Sequence, residues 1–462
     1  MQNQKTILIV AVIAIVVIAA AGAIFLMNGN NNGGSNDNGS GSTDSTDYLT
    51  EKSGSAVVSS IDTKLLVFGN ANNDVYLNND DVNFIQSIVD KKSSWDKSKN
   101  PLADTNADGS VTKEDVSLLK EFLAGKSAPM FYLDSWLDTQ RIQFPLTGNV
   151  CVSQTLDADM LKIIGKYDLI TACTMDSVDE KVYPGSSKWV DVGTYPYDYE
   201  KLVAEKVQIT LGQPYDYDET LDNFVLNGYK SYRLDTVKLH EGRYMNGVDS
   251  IACTVTLGAL MNSFDVSSYK EYLKYVNNID QVLAKATSGV NAPKSYCLVL
   301  THATSSPAEM GIDNQATSEE NYSDVAMVEN LKMTNSYPIG ADSYIRGLSI
   351  ENLLKYNPDV VFIEESNGSK TAEEFRTAVN NVANYFKSAG YTGKIIGIHW
   401  NVSGSTANTA ALPLLATYIY GTSSYSEESA WNDLATFYNQ FLGGSYTVEE
   451  LKNSIYGPFV VQ

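Results

Sequence analysis

Histidine is almost missing from this chain, with three in 462 residues, and lysine plus arginine reach only 33 against 55 acidic residues. The formal charge of −22 argues against nucleic acid and anionic lipid surfaces as partners, because both need cationic patches. Cysteine is scarce as well: Cys151, Cys173, Cys253 and Cys297 are widely spaced and show no metal-type pairing. No phosphate-cradling loop and no Ser/His/Asp spacing is present, so the familiar nucleotide-binding and hydrolase signatures are absent. Tyrosine, by contrast, is abundant at 29, a composition suited to an extracytoplasmic binding surface.

One long apolar run exists. Ile7 to Met27 carries no charge, and about 21 residues at ~1.5 Å each span a hydrocarbon core of ~30 Å. Lys5 precedes the run and no Lys or Arg follows until Lys52, which places the N-terminus inside and the rest outside. The run exceeds the ~7–15 residues of a cleaved signal and no cysteine follows it to take a lipid. Residues 1–27 therefore read as an uncleaved anchor, and 28–60, rich in Gly, Asn, Ser, Thr and Asp, as a tether that cannot bury enough surface to fold. Sequons at Asn38, Asn321, Asn367 and Asn401 are compatible with an outside location. In that compartment a Cys151–Cys173 disulfide between consecutive predicted strands is one reading; buried free thiols are the simpler one.

After the tether, Asp104-Thr-Asn-Ala-Asp-Gly-Ser-Val-Thr-Lys-Glu-Asp115 places oxygen donors at loop positions one, three, five and twelve, with Gly109 at the sharp turn. Hard cations need six to eight oxygens, and this spacing wraps them around one point. The predicted Ca²⁺ donors are Asp104, Asn106, Asp108, Ser110 and Asp115. An earlier copy lies 34 residues before (104 − 70), with Asn70, Asn72, Asp74, Tyr76 and Asp81 in the same register and Val75 in place of the glycine. Helices are expected over 82–89 and 116–123. Two such units with Asp at position twelve resemble a dockerin module, covering 61–128. The resemblance implies a cohesin-like partner, although Asn79-Asp80 and Lys113-Glu114 stand where the family often has Ser or Thr. Chelation of calcium is expected to unfold residues 65–126 only.

From about Gln140 strands and helices alternate, the pattern of a parallel α/β fold. Strands are expected at 150–153, 169–173, 296–300 and 394–400. Helices are expected at 158–164, 217–226, 246–260 and 269–286, with two more between 427 and 455. One segment occurs twice: Asp198-Tyr-Glu-Lys-Leu-Val-Ala-Glu-Lys-Val-Gln-Ile-Thr-Leu211 and Ser349-Ile-Glu-Asn-Leu-Leu-Lys-Tyr-Asn-Pro-Asp-Val-Val-Phe362 align at one offset (351 − 200). Each copy has an N-cap residue, an early acid, a short amphipathic helix and a β-branched strand. Two similar lobes follow, 140–262 and 291–462, joined by a long helix in 263–290, and two lobes imply a cleft.

This arrangement, and above all Leu348-Ser-Ile-Glu-Asn-Leu-Leu-Lys-Tyr-Asn-Pro-Asp-Val-Val-Phe-Ile363, resembles the class III periplasmic binding proteins, the iron-siderophore, heme and cobalamin receptors of ABC importers. The resemblance implies two Rossmann-like lobes, a metal-chelate ligand and an ABC permease partner contacted by one glutamate per lobe, here Glu200 and Glu351. Ligands of open α/β sheets gather at the carboxyl ends of strands. The residues expected there are Ser153, Gln154, Tyr195, Tyr197 and Tyr215 in the first lobe, with His302, Arg346, His399 and Trp400 in the second. His302 and His399 are candidates for a metal ligand or for a plain hydrogen-bonded or stacking role. The leading reading is a membrane-tethered receptor without covalent chemistry. Its rivals are a dockerin-bearing polysaccharide hydrolase, with Glu364-Glu365 as the nearest carboxylate pair, and a surface adhesin or scaffold component.

Overall fold

A computed structural model describes residues 63–134, 137–153, 155–174, 180, 182–193, 197–211, 235–237, 250–290, 294–301, 311–313, 330–336, 344–346, 350–365, 371–421 and 425–461. The chain divides into two units, Met1–Asp44 and Ser45–Gln462, and every described residue belongs to the second. The expected anchor and tether lie outside the described residues. Among the described residues no helix is long and apolar enough to cross a membrane.

The two acidic loops come first, each feeding a helix: α1 (Asn79–Val89) and α2 (Lys113–Leu123). Both helices open on a capping box, Asn78 with Asp81 and Thr112 with Asp115, so the aspartate that ends each loop also holds an N-terminal backbone donor. Val82 and Ile85, and Val116, Leu119 and Phe122, repeat at helical spacing and are buried. An antiparallel hairpin follows, β1 (Ala128–Leu133) with β2 (Thr139–Phe144).

The first lobe contains β3 (Asn149–Val152), α3 (Thr155–Ile163), β4 (Ile170–Cys173), β5 (Val190–Asp191), α4 (Tyr199–Ala204), β6 (Val207–Leu211) and β7 (Asp235–Val237). Its sheet runs β5-β4-β3-β6-β7 with every pairing parallel. Two helices, α5 (Ser250–Leu260) and α6 (Ser267–Ala286), lead onward; Tyr272, Val276 and Ile279 of α6 are buried as its periodicity requires. The second lobe contains β8 (Lys294–Thr301), β9 (Gly311–Asp313), β10 (Met333–Asn335), β11 (Tyr344–Arg346), α7 (Ile350–Leu354), β12 (Val360–Glu365), α8 (Ala372–Ser388) and β13 (Lys394–His399). It ends in α9 (Trp400–Ser403), α10 (Asn408–Tyr420), α11 (Glu427–Phe441), α12 (Val448–Lys452) and β14 (Phe459–Val460). Its order is β11-β9-β8-β12-β13-β14, with β10 also beside β8. This sheet is not wholly parallel: β9 and β14 run antiparallel to their neighbours β8 and β13. The helix expected at 217–226 lies outside the described residues.

The repeated segment falls on equivalent parts of the two lobes. In each, the short helix is followed by a strand that pairs in parallel with the lobe's first strand, β6 with β3 and β12 with β8. Leu202 is buried in α4, and Leu353, its match, is buried in α7 together with Ile350. The helices also stop alike: Lys206 and Asn357, matched at the same offset, both adopt left-handed backbone, φ 53° and 46°. Their N–H groups donate to Val203 and Leu354 respectively, both at 3.0 Å, which satisfies carbonyls that the helix end leaves without partners.

The module of two acidic loops is not a separate bead. The Leu66 N–H donates to Thr256 Oγ1 of α5 at 3.0 Å, Val67 bridges Tyr132 of β1, and Phe122 of α2 packs on Phe144 of β2 with ring centroids 5.4 Å apart. One continuous core runs from Leu65 to Phe459. All four cysteines are buried free thiols. Cys151 lies opposite Ala172 and Cys173 opposite Val152, so the pair is out of register, and burial followed by the nearby Cys173 pushes the Cys151 thiol up.

The lobes meet through a buried carboxyl. Asp159 of α3 accepts from Tyr183 Oη at 2.8 Å and from Thr406 Oγ1, which precedes α10, at 3.1 Å. Lys162, one turn on, donates to the carbonyls of Val182 and, at 2.5 Å, Leu442. Burial raises the Asp159 pKa to about 6, against the opposing influence of Lys162. The folded carboxyl thus keeps its proton to about pH 6 and the unfolded one only to about pH 4, so stability falls as pH rises between these values and is level above. Asp159→Asn should flatten that slope, removing a contribution on the order of 3 kcal/mol; urea unfolding from pH 4 to 7 that shows an unchanged slope would refute the assignment.

Candidate functional site

At the carboxyl end of β3, Ser153 turns back toward its own lobe: its N–H and Oγ both bond Asp157 of α3, at 2.9 and 3.1 Å. Thr174, after β4, donates through Oγ1 to the Ser153 carbonyl at 3.0 Å, lacing the two strand ends together. Tyr197 was expected to face a ligand but is buried in a small cluster with Cys151, Ala172, Val192, Leu202 and Val207, because its ring covers the helix–strand corner of α4 and β6. Gln154, Tyr195, Tyr215 and His302 lie outside the described residues. Arg346 is the last residue of β11, paired with Gly311.

His399 ends β13 beside Glu365, the last residue of β12, in register with it. Both are buried. The His399 Nδ1 accepts the Asn401 N–H at 3.1 Å, so the proton sits on Nε2, which lies 3.1 Å from Glu365 Oε2. With both ring nitrogens engaged and Phe375 set edge-on at 5.3 Å, His399 is the N-cap of α9 and not an open metal ligand. Its neighbour Glu364 is buried too and accepts Ser403 Oγ at 2.6 Å. Adjacent strand residues face opposite sides of a sheet, and each of these two carboxylates has its own buried partner. They therefore do not form the acid/base pair that the hydrolase reading required.

Trp400 is half-buried at the start of α9. A Cβ on Gly404 would come within 2.5 Å of its indole, so only glycine lets the ring lie against that turn. The run Val402 to Ala410 is buried and meets the first lobe at Asp159. A groove of about 330 Å³ between α6, α10 and α11, lined by Tyr275, Phe437 and Phe441, includes no strand-end residue and touches this run only at Ala410.

Glu200 and Glu351 are exposed in the first turns of α4 and α7. The Asp198 carboxylate caps α4 by accepting the Lys201 N–H at 3.1 Å; Ser349, the expected cap of the second copy, lies outside the described residues.

The two acidic loops share most of their bonds. Asn72 and Asn106 donate through Nδ2 to Asp74 and Asp108, at 2.7 and 2.9 Å. Asp74 and Asp108 in turn accept the N–H of Tyr76 and Ser110, at 2.7 and 2.9 Å. Asp81 and Asp115 close the loops by accepting from Asn72 and Asn78, and from Asn106 and Thr112. Asn73 and Ala107, at loop position four, are both left-handed, φ 61° and 53°. Position six differs: Gly109 has φ 96°, which favours glycine, whereas Val75 is outside that region and makes the first turn without one.

Position one differs more. The Asp104 carboxylate accepts the N–H groups of Asp108 and Gly109, at 3.0 and 2.6 Å. Asn70 instead donates its amide to Thr63 Oγ1, the Leu65 carbonyl and the Asp74 carbonyl, at 3.0, 2.9 and 2.9 Å. Those acceptors fix the amide orientation and leave Asn70 Oδ1 buried without a donor. Burial raises Asp81 to about 6 and also raises Asp104, the response of carboxylates held in a site that a cation would neutralise. Among the described residues no three His, Cys, Asp or Glu side chains gather as a metal-ligand group. The oxygens of each loop are a mixture of carboxylates, amides and carbonyls.

Sequence reasoning missed Asp159, Thr406 and Ser403. The small polar run Ser403-Gly-Ser-Thr-Ala-Asn408 directly after a strand was the available signal.

No protein-family model matches the chain, and no curated protein matches it. Solved structures do. A periplasmic solute binding protein from Veillonella parvula is 11% identical, covering 71% of this chain and 97% of its own at a TM-score of 0.50. The TroA-like periplasmic binding protein FepB from Veillonella parvula is 14% identical, covering 69% and 97% at 0.49. The periplasmic heme binding protein HutB of Vibrio cholerae is 15% identical, covering 59% and 100% at 0.42. At such identities the likeness is one of fold, and the first of the three carries it: the α/β body is similar in fold to a periplasmic solute-binding protein.

Proposed function

We propose that the chain is an extracytoplasmic solute-binding protein of an ABC importer, held to the membrane by residues 1–27. It captures a metal chelate of the iron(III)-siderophore, heme or corrinoid class between its lobes and passes it to the permease, with no covalent chemistry of its own. The observation that carries this reading is the doubled helix–strand unit, which gives each lobe one exposed carboxylate, Glu200 or Glu351, in the first turn of an equivalent helix. Two acids on a duplicated frame suit docking onto paired basic sites of a permease. Calcium belongs to the acidic loops, with Asp104, Asn106, Asp108 and Asp115 as side-chain donors in the second and Asn70, Asn72, Asp74 and Asp81 in the first. Tyr76 and Ser110 supply backbone carbonyls. A cohesin-like partner would meet Asn79, Asp80, Lys113 and Glu114, which are all exposed.

Trp400 is the described side chain best suited to a flat conjugated ligand. It stands at a strand's carboxyl end, half-exposed, with its start of helix held by the His399–Glu365 pair. The polysaccharide-hydrolase alternative has lost its carboxylate pair to burial.

Two expected outcomes test the reading. Glu200→Ala with Glu351→Ala should lower stimulation of permease ATP hydrolysis at least tenfold and leave chelate affinity within twofold; a matching loss of affinity would place these residues in the pocket instead. Chelates from the three classes, titrated one by one, should quench tryptophan fluorescence for at least one. Trp400→Leu should weaken that ligand by about 2–10-fold, the worth of one aromatic stack, and an unaltered affinity would move the ligand away from β13.

A further inference from the structure

The two loops share the bonds among positions three, five, seven, nine and twelve, and the difference at position one points outward. Asp104 closes on its own loop. Asn70, its counterpart, spends its amide on the Asp74 carbonyl of its own loop and also on Leu65 and Thr63, in the segment that enters the body. The next residue, Leu66, donates its N–H to Thr256 in the middle of α5 and accepts at its carbonyl from the Leu133 N–H of β1 at 2.8 Å. Gly69 N–H reaches the Leu102 carbonyl at 2.6 Å, two residues before the second loop begins, and Asn100 Nδ2 reaches the Ala71 carbonyl at 2.8 Å. Both loops are therefore tied to one short segment, and that segment is tied to the first lobe. Asn70 Oδ1, buried and without a donor, is the acceptor that a cation in the first loop would engage.

We infer that the paired loops act as a cation-dependent clamp on the first lobe, so that occupancy is transmitted through Asn70, Leu65–Leu66 and Thr256 to α5. The substitution of Asn for Asp at position one gives up a carboxylate in the loop and gains donors that join the loop to the receptor body. This inference rests on the calcium reading of the loops. It also replaces the expectation that chelation acts on residues 65–126 alone, since the module has no boundary at which unfolding would stop.

The test uses the full chain. Terbium(III) luminescence reports whether the loops take a cation, and amide hydrogen exchange follows Ser250–Leu260 with and without calcium. Calcium at a hundred times its dissociation constant should slow exchange in α5 by at least tenfold, toward the hundredfold limit set by mass action. Thr256→Val should keep terbium binding and lose most of the slowing in α5. Asn70→Asp should bind the cation more tightly and yet transmit less, a pairing that general destabilisation would not produce. Saturable terbium binding with unchanged α5 exchange would overturn the clamp and leave the calcium reading standing; absence of terbium binding would overturn both.

Discussion

A carboxylate withdrawn from water has to be met by donors or neutralised, and this chain withdraws many. Asp81 and Asp115 close the acidic loops, Asp157 gathers the end of β3, Asp159 joins the lobes, and Glu364 and Glu365 end β12, all buried. Donors that answer them come from distant parts of the chain, Thr406 to Asp159 and Ser403 to Glu364, while His399 Nε2 lies 3.1 Å from Glu365. Satisfying these groups is what holds the strand ends, the start of α9 and the lobe junction in one arrangement. Strand ends are also where an open α/β sheet receives a ligand, so the same constraint that organises the fold shapes the cleft.

The loops meet this demand in another way. Their aspartates accept backbone N–H groups at matched positions in both copies, and the capping boxes of α1 and α2 extend the arrangement into the helices. The remaining oxygens suit a hard cation. Because Leu66 and Thr256 join the module to α5, it is continuous with the α/β body, where a detachable docking domain would have needed an exposed and flexible boundary.

Much of the body was legible from sequence. Local signals sufficed for α4 with β6 and α7 with β12, since N-caps, helical spacing and β-branched runs are short-range properties, and even the shared left-handed stop at Lys206 and Asn357 sits at one aligned position. The loops were legible for the same reason: their donors are separated by fixed small intervals. The hairpin β1–β2, the antiparallel strands β9 and β14 and the helices α8 and α10 were not foreseen. For α10 the cause is plain: Leu412 to Ala416 are buried all round, which erases the amphipathic stripe that periodicity detects.

The candidate site was less legible, because a strand-end residue looks the same in sequence whether it faces a cleft or a core. Tyr197 and His399 show this. Tyr197 turns into the small core, and His399, at the end of β13, accepts the Asn401 N–H at Nδ1 and sets Nε2 beside Glu365. By itself the sequence determined the duplication, the paired oxygen loops and the position of one glutamate per lobe, since these depend on neighbours within a few residues. Only the tertiary structure decided which polar side chains are consumed by buried partners and that the loop module is welded to α5, because burial and long-range hydrogen bonds arise from packing between segments that no local spacing encodes.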